Sequence, residues 1–366
     1  TRFPDDERSP KAALYAGTFR YEAKDYTGTI SRLEPLIEGK ATFADEASYW
    51  VSMALFKLGK LDEAKQAFEK AISTYPRSKL SGDMKLGLAD VQLASNDLKA
   101  AAAAFKDYAN SNRKAEQAPR ALYSSAVALH RADAFTESDK TCADFLARYN
   151  KDALVPDVLF LSGENRFLED DHSGAATRYR DFLTRKDTAG ERIARTHFRL
   201  AWIDRAAKRY DDALKEIEEI DRKQAGAVVT GEAHYLAGVC HFELGSYTKA
   251  IDEITAYLKT KDHSRFGDDA LFKVGTAWHR KGEPKQSIQA LKRLVKDYGK
   301  SELLAHAQFM LAERYSEIKD YNQAVKHYRA VSVREDAGEL APHALFGLGI
   351  ASYDQEQWNE SATAFA

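Results

Sequence analysis

An all-helical solenoid of repeated hairpins is the fold class that this sequence predicts, and three observations support it. A small residue returns every 37 residues, with one extra residue between Ala175 and Ala213. A second small residue lies twelve positions before most of these, and an aromatic residue usually lies three positions before that. The apolar residues between these markers follow helical spacing. A fixed period of this length indicates one supersecondary unit stacked many times.

The 37-residue marker is the small residue that opens the second half of each unit. Its positions are Ala64, Ala101, Ser138, Ala175, Ala213, Ala250, Ser287, Ala324 and Ser361. The ten units are expected to begin near Pro10, Asp45, Gly82, Pro119, Pro156, Ala194, Gly231, Asp268, Ala305 and Pro342. Small residues at these markers allow two helices to cross closely, and the aromatic residues fill the wider parts of the same interface.

Each unit is predicted to consist of two helices joined by a short turn. Four units open with proline, which is tolerated in the first helical turn because its missing N–H would have no partner there. Gly-containing stretches such as 57–61 and 281–284 predict the turn inside a unit. Stretches such as 75–78 and 297–300 predict the turn between units, because they combine several turn-forming residues.

The unit from Asp45 to Pro76 carries the residues by which the repeat is identified. These residues, all in register, are Gly59, Leu61, Ala64, Phe68, Ala71 and Pro76. The pattern resembles the tetratricopeptide repeat family, and the resemblance covers nearly the whole chain. It implies a right-handed α-solenoid of about ten helix-turn-helix units in a single domain over residues 1–366. The family's usual repeat is three residues shorter, so we expect the extra length in the turn between units.

Two features resemble a subgroup of that family found in bacterial cell-envelope proteins. Tyr75-Pro76-Arg77-Ser78 matches the unit ending of this subgroup, and the aromatic residue in the first helix also matches. The subgroup includes outer-membrane assembly and Tol-Pal-associated factors. The resemblance implies a periplasmic or outer-membrane-associated location, with the cytoplasm as the alternative. Neither end of the sequence looks like a natural terminus, so we expect a segment of a longer chain.

Composition narrows the classes of partner. The formal net charge is −2, with 54 basic and 56 acidic residues, whereas nucleic-acid and anionic-membrane binding favour a basic face. No apolar run is long enough to cross a bilayer. The two cysteines, Cys142 and Cys240, belong to distant units, so we expect each to be a small buried residue rather than half of a disulfide.

The sequence contains no motif that nominates catalytic chemistry. It lacks HExxH, a zinc-spaced Cys/His cluster, a phosphate-binding GxxxxGK[ST] loop and a GxSxG elbow. Acidic pairs such as Asp170-Asp171 and Asp268-Asp269 lie near predicted helix starts, where carboxylates favour the helix dipole. We therefore expect no enzyme activity, no cofactor and no metal site.

The family resemblance implies a concave groove lined by positions 2, 5, 9 and 12 of successive first helices. Aromatic residues at position 5 favour helix packing, with ligand contact as the alternative; at position 12 the two interpretations stay open. The candidate partner-binding residues, chosen because packing does not require most of them, are His130, Glu164, Phe167, Arg195, Trp202, Arg205, Tyr235, Phe242 and His279. Aromatic anchors supply much of the energy at such interfaces.

The leading functional hypothesis is a non-catalytic scaffold that binds a partner peptide or helix in this groove, within a bacterial envelope assembly. A self-assembling structural module is the alternative, because residues 335–366 carry six acids and no Lys or Arg. Such an acidic last unit favours contact with a basic surface on another copy. A helical-repeat RNA binder and an all-α enzyme are the less favoured hypotheses.

Overall fold

The computed structural model describes residues 8–185, 190–220, 226–261 and 263–366, with backbone only at 227 and 228. These residues form twenty α-helices, one short 3₁₀ helix and no strand, which confirms the all-helical repeat fold. The chain divides into two compact units, Thr1–Asp187 and Thr188–Ala366, each containing five helix pairs. The division lies between Ala175 and Ala213, where the sequence period gains its extra residue. Whether the two units form one domain stays a prediction.

The first unit is a stack of five helical hairpins, in which each helix packs against the next. Its helices are α1 (Ser9–Glu22), α2 (Tyr26–Glu38), α3 (Ala44–Lys57), α4 (Leu61–Thr74), α5 (Ser81–Ala94), α6 (Leu98–Ser111), α7 (Ala118–Arg131), α8 (Phe135–Arg148), α9 (Val155–Leu168) and α10 (His172–Leu183). The first helices of neighbouring hairpins also touch, as α3 touches α5.

The second unit repeats this arrangement. Its helices are α11 (Gly190–Ala206), α12 (Tyr210–Glu218), α13 (Gly226–Glu243), α14 (Tyr247–Leu258), α15 (Gly267–Arg280), α16 (Pro284–Asp297), α17 (Leu304–Glu317), α18 (Tyr321–Ser332), α19 (Leu340–Tyr353) and α20 (Trp358–Phe365). A 3₁₀ turn at Glu335–Ala337 precedes α19. Here α11 touches α13, and α13 touches α15.

The predicted turns and helix starts agree with the structure. The stretches 57–61 and 281–284 separate α3 from α4 and α15 from α16, as predicted. Proline lies in the first turn of α1, α7 and α9. Eight of the ten first helices begin within two residues of the predicted unit start, and α11 and α13 begin four and five residues earlier.

Close crossing of the two helices in a hairpin explains the small residue in the first helix. A Cβ added at Gly163 would lie 2.6 Å from the Tyr179 ring, and one at Gly238 would lie 2.3 Å from Ile254. The same clash recurs at the same separation of sixteen residues in the pairs Gly17 with Leu33, Gly275 with Leu291 and Gly349 with Phe365. Larger side chains are therefore excluded from this position by the partner helix itself.

Hydroxyl groups take part in the same crossing. The small residue that opens the second helix is Ser or Thr in some hairpins, and in three of them its hydroxyl donates to the carbonyl of the small residue twelve positions earlier. Thr29 donates to Gly17 at 3.2 Å, Ser138 to Ala126 at 2.8 Å and Ser361 to Gly349 at 2.9 Å. Thr29 and Ser138 are completely buried. A polar side chain is tolerated there because it satisfies its own hydrogen bond inside the interface.

A serine in the turn after a hairpin forms a hydrogen bond with the aspartate at the start of that hairpin's first helix. The Ser78 hydroxyl donates to Asp45 Oδ2 at 2.6 Å and accepts from the Leu80 N–H at 3.1 Å. Ser301 makes the same two contacts in the second unit, with Asp268 at 2.6 Å and with the Leu303 N–H at 3.1 Å. The serine of the Tyr-Pro-x-Ser ending thus connects the end of its hairpin to the start of the first helix.

We predict that Ser78→Ala lowers the free energy of unfolding by about 1–2 kcal/mol, because a hydrogen bond to a carboxylate is lost. Urea unfolding followed by circular dichroism measures the change. Ser73→Ala is the matched control, since the exposed Ser73 hydroxyl donates only to the Lys70 carbonyl within its own helix. Equal midpoints for the two variants would contradict the assignment.

Candidate functional site

A groove in the first unit lies across three neighbouring first helices, α3, α5 and α7. Its volume is about 570 Å³. The residues that line it from repeat positions 2, 5, 9 and 12 are Tyr49, Met53, Phe56, Asp83, Leu86, Asp90, Leu93 and Arg120. These are the positions that the family resemblance assigned to the concave surface. At these positions the α3–α5–α7 groove therefore combines apolar side chains with three charged ones, Asp83, Asp90 and Arg120.

Three charged side chains, Asp83, Asp90 and Arg120, lie near Tyr49 in the α3–α5–α7 groove. The pKa of Tyr49 is raised to about 12, chiefly by burial and also by the nearby carboxylates of Asp83 and Asp90, against the opposing effect of Arg120. Arg120 Nη2 donates to both oxygens of Asp90, at 2.8 and 2.9 Å. Asp83 makes no hydrogen bond or ion pair within the described residues. The negative charge of Asp90 is thus compensated inside the protein, and that of Asp83 is not.

The second unit contains an aromatic cluster formed by Phe198, Trp202, Tyr235 and Phe266, called here the Trp202 cluster. The Tyr235 and Phe266 rings stack with centroids 4.4 Å apart and an interplanar angle of 2°. Trp202 lies 5.8 Å from Phe266 and 6.2 Å from Phe198. The cluster joins α11, α13 and the turn before α15, so residues far apart in sequence meet at one place.

Ionisable side chains surround the Trp202 cluster. The guanidinium carbon of Arg205 lies 5.4 Å from the Trp202 ring. The Tyr235 hydroxyl donates to Asp269 Oδ2 at 2.6 Å, and Lys273 Nζ lies 3.6 Å from Asp269 Oδ1. Burial raises the pKa of Tyr235, and the Asp269 charge adds to this shift. Tyr235 is therefore a neutral hydrogen-bond donor that holds Asp269 in place.

Three of the predicted site residues lie in the first unit and make internal contacts. His130 Nδ1 lies 2.7 Å from Asn165 Oδ1, and the His130 ring meets the Phe135 ring. Glu164 is buried and accepts a hydrogen bond from Tyr179 at 2.5 Å. Phe167 is half-buried beside His172.

The other six predicted residues lie in the second unit. Trp202 and Tyr235 belong to the Trp202 cluster, and Arg205 lies beside it against the Trp202 ring. Phe242 contacts Tyr247 and has the Lys273 ammonium 5.3 Å from its ring. His279 Nδ1 lies 4.0 Å from Glu317 Oε2, whereas Arg195 is exposed on α11. Whether any of these nine residues contacts a partner stays a prediction.

The sequence-based selection missed the residues that give the α3–α5–α7 groove its charge. Asp83 and Arg120 occupy position 2, which belongs to the concave surface in the family and supplied the candidate Arg195, but these two residues were not chosen. Phe266 was also missed, because it lies in the turn between hairpins rather than in a helix. Position 2 was a usable signal for the first two, and the repeat pattern carries none for Phe266.

Cysteine pairing, metal binding and membrane spanning can also be assessed in the part of the chain that the structure describes. Cys142 and Cys240 are both buried and unpaired, as predicted, and burial raises the pKa of the Cys142 thiol to about 12. Across residues 8–185, 190–220, 226–261 and 263–366, no three His, Cys, Asp or Glu side chains are grouped so as to hold a metal ion. None of the helices in these ranges combines the length and the apolar character needed to span a membrane.

Residues 51–119, 199–265 and 269–301 of the chain match family models described as tetratricopeptide repeat. A curated relative, Tetratricopeptide repeat protein 1 of Schizosaccharomyces pombe, is 25% identical over 118 residues. That match covers 32% of this chain and 11% of the relative, so it spans only a small part of the longer protein.

Solved structures share the helical repeat fold. The C-terminal part of a TPR repeat-containing protein from Cytophaga hutchinsonii gives a TM-score of 0.54 at 15% identity, covering 71% of this chain and 99% of that one. The structure titled Naa15/Naa10 bound to HypK-THB gives 0.50 at 12% identity, with coverage of 94% and 55%. The apo form of RapI gives 0.50 at 13% identity, with coverage of 78% and 85%. Identities this low show the fold alone.

We predict that Tyr49 ionises near pH 12 rather than near its usual value of about 10. Above pH 10 the unfolded chain loses this proton before the folded chain does, so this residue's contribution to stability falls between pH 10 and about 12. The difference in tyrosinate absorbance between wild type and Tyr49→Phe measures the ionisation. Asp83→Asn should lower the pH at which Tyr49 ionises, because the Asp83 carboxylate raises the pKa of Tyr49. Ionisation near pH 10 in the folded wild type would contradict the burial described for Tyr49.

Proposed function

The matched segments are tetratricopeptide repeats in both units, and from this premise we propose that the chain is a non-catalytic scaffold that binds a segment of a partner protein. Tetratricopeptide repeat proteins are generally protein-interaction scaffolds. The proposal for this chain is that a peptide or helix of the partner docks on the concave face. Solenoids of this kind use such extended concave surfaces for binding.

The observation that carries the proposal is the α3–α5–α7 groove. Its apolar side chains Met53, Phe56 and Leu93 are only partly buried, although each lies on a helix that packs closely elsewhere. A groove of about 570 Å³ accommodates several side chains of a docked segment. The Asp90–Arg120 pair supplies polar contacts that fix orientation, and the apolar floor supplies the larger part of the energy.

A photo-crosslinking amino acid placed at position 53 tests the proposal. We expect Met53 replaced by benzoylphenylalanine to capture a specific partner in cells of the source organism, because this side chain faces the groove. Gln66 on α4 is the matched control: it is exposed on the second helix of the same hairpin and lies outside the groove.

Mass spectrometry of the crosslinked product identifies the partner segment, and Leu86→Glu should abolish the product by placing a charge in the groove floor. Crosslinking of the same products from positions 53 and 66 would reject groove binding.

Fractionation of the same cells tests the location that we propose, the bacterial cell envelope, which is supported by the Tyr75-Pro76-Arg77-Ser78 ending. Recovery of the protein in the cytoplasmic fraction argues against it.

A self-assembling module is the second candidate, favoured by the last hairpin. This hairpin lies within residues 335–366, which carry six acids and no Lys or Arg. Trp358 is exposed at the start of α20 in the same segment. Such an acidic surface is complementary to a basic surface on another copy of the chain.

Light scattering over a range of concentrations tests this second candidate. We expect the average mass to rise with concentration, to fall on adding salt, and to stay closer to the monomer in Trp358→Glu. The salt effect follows because an acidic surface meeting a basic one is screened by ions. A constant monomer mass at every concentration and salt level would exclude self-assembly of this chain.

A further inference from the structure

Two tyrosine–aspartate pairs occupy the same repeat positions but differ in their contacts. Tyr235 at position 5 donates to Asp269 at position 2 of the next hairpin, and Lys273 also lies near that carboxylate. Tyr49 and Asp83 stand at the equivalent positions of the first unit. The Asp83 carboxylate is near enough to Tyr49 to raise the pKa of its phenol, yet no hydrogen bond joins them. No ion pair is made by Asp83 within the described part of the chain.

The other ionisable groups of the α3–α5–α7 groove leave the Asp83 charge uncompensated. Arg120 is committed to Asp90 through two contacts, at 2.8 and 2.9 Å. Arg131 donates to Asn96, and the Lys57 ammonium lies 5.8 Å from the Phe56 ring. These last two cations stand at position 13 of their helices, about 16 Å along the helix axis from position 2.

We infer that the α3–α5–α7 groove selects a partner segment that presents a Lys or Arg side chain to Asp83 and an apolar side chain to Leu86 and Met53. The inference rests on the proposed function and names the chemistry of the segment. A cation placed there gains the half-buried carboxylate as an ion-pair partner and the Tyr49 ring as an apolar and π-electron surface. An acidic segment meets an uncompensated like charge at the same place and is disfavoured.

A structural role for Asp83 predicts something different. Asp83 is in the first turn of α5, where a carboxylate stabilises the helix dipole. In that case its removal lowers stability and leaves binding of charged segments unchanged. Asp62, in the first turn of α4 and exposed, provides a control for both the helix dipole and the net charge of the protein.

Selection from a random twelve-residue peptide library displayed on phage supplies the probe. The selected peptides are synthesised with a fluorescent label, and their affinities are measured by fluorescence anisotropy for wild type, Asp83→Asn, Arg120→Gln and Asp62→Asn. We expect the selected peptides to combine Lys or Arg with aliphatic or aromatic residues. Leu86→Glu, which blocks the groove floor, should remove binding of every selected peptide.

The three charge variants should change affinity in different directions. Asp83→Asn is expected to weaken binding by about threefold to tenfold, the range for a partly exposed ion pair. Arg120→Gln is expected to tighten it, because it leaves the Asp90 carboxylate, about 10 Å further along α5, without its cation and so increases the negative charge of the groove. Asp62→Asn should leave the affinity within about twofold, since only a distant, screened charge is lost. Circular dichroism melts of each variant separate binding from stability.

Some outcomes of these binding experiments would overturn the inference about Asp83, and one would also reject the proposed function. Peptides that bind in a Leu86-dependent manner but lack cations, or that bind Asp83→Asn and wild type equally, overturn the inference and leave the proposed function standing. Weaker binding by Arg120→Gln as well as by Asp83→Asn also overturns it, because both changes would then act by disturbing the groove. Selected peptides that bind equally to Leu86→Glu reject the groove itself, and the proposed function with it.

Discussion

One steric constraint supports the whole structure: the space above the small residue of each first helix is filled by a side chain sixteen residues later. Tyr179 fills it above Gly163, and Ile254 fills it above Gly238. The same kind of side chain also receives the following hairpin, because Phe68 lies against the backbone of Gly87 and Tyr328 against that of Gly347. The side chain at this one repeat position therefore fills the crossing of its own hairpin in some units and receives the next hairpin in others. Interiors packed this closely tolerate little change in volume.

This constraint separates structural residues from residues available for recognition. Position 10 of the first helix shows the structural side, since Asn165 reaches back to His130 and Ser138 of the preceding hairpin. Positions 2, 5, 9 and 12 differ between hairpins: at position 9, Glu164 is bonded to Tyr179 within its own hairpin, whereas Met53 lines the groove. In the α3–α5–α7 groove they bring together Met53, Asp83 and Arg120. The repeat therefore sets where variable side chains appear and leaves their chemistry free.

The period made the helices predictable because each helix boundary depends on nearby residues. The turn at 57–61 and the helix start at Pro119 follow from glycine and proline alone. The site depends on pairs of residues from different hairpins, and a period shows which positions face each other without showing which side chains bond. Asp90 and Arg120, thirty residues apart, form an ion pair that no local pattern indicates.

The two tyrosine–aspartate pairs show the physical origin of this limit. Phe266, immediately before α15, stacks flat against Tyr235 and holds its hydroxyl toward Asp269. The equivalent residue before α5 is Leu80, which has no ring to stack on Tyr49. The closed pair also has Lys273 beside its aspartate, whereas the equivalent residue of α5 is Gly87. Repeated positions can therefore serve packing in one hairpin and recognition in another without any change in the fold.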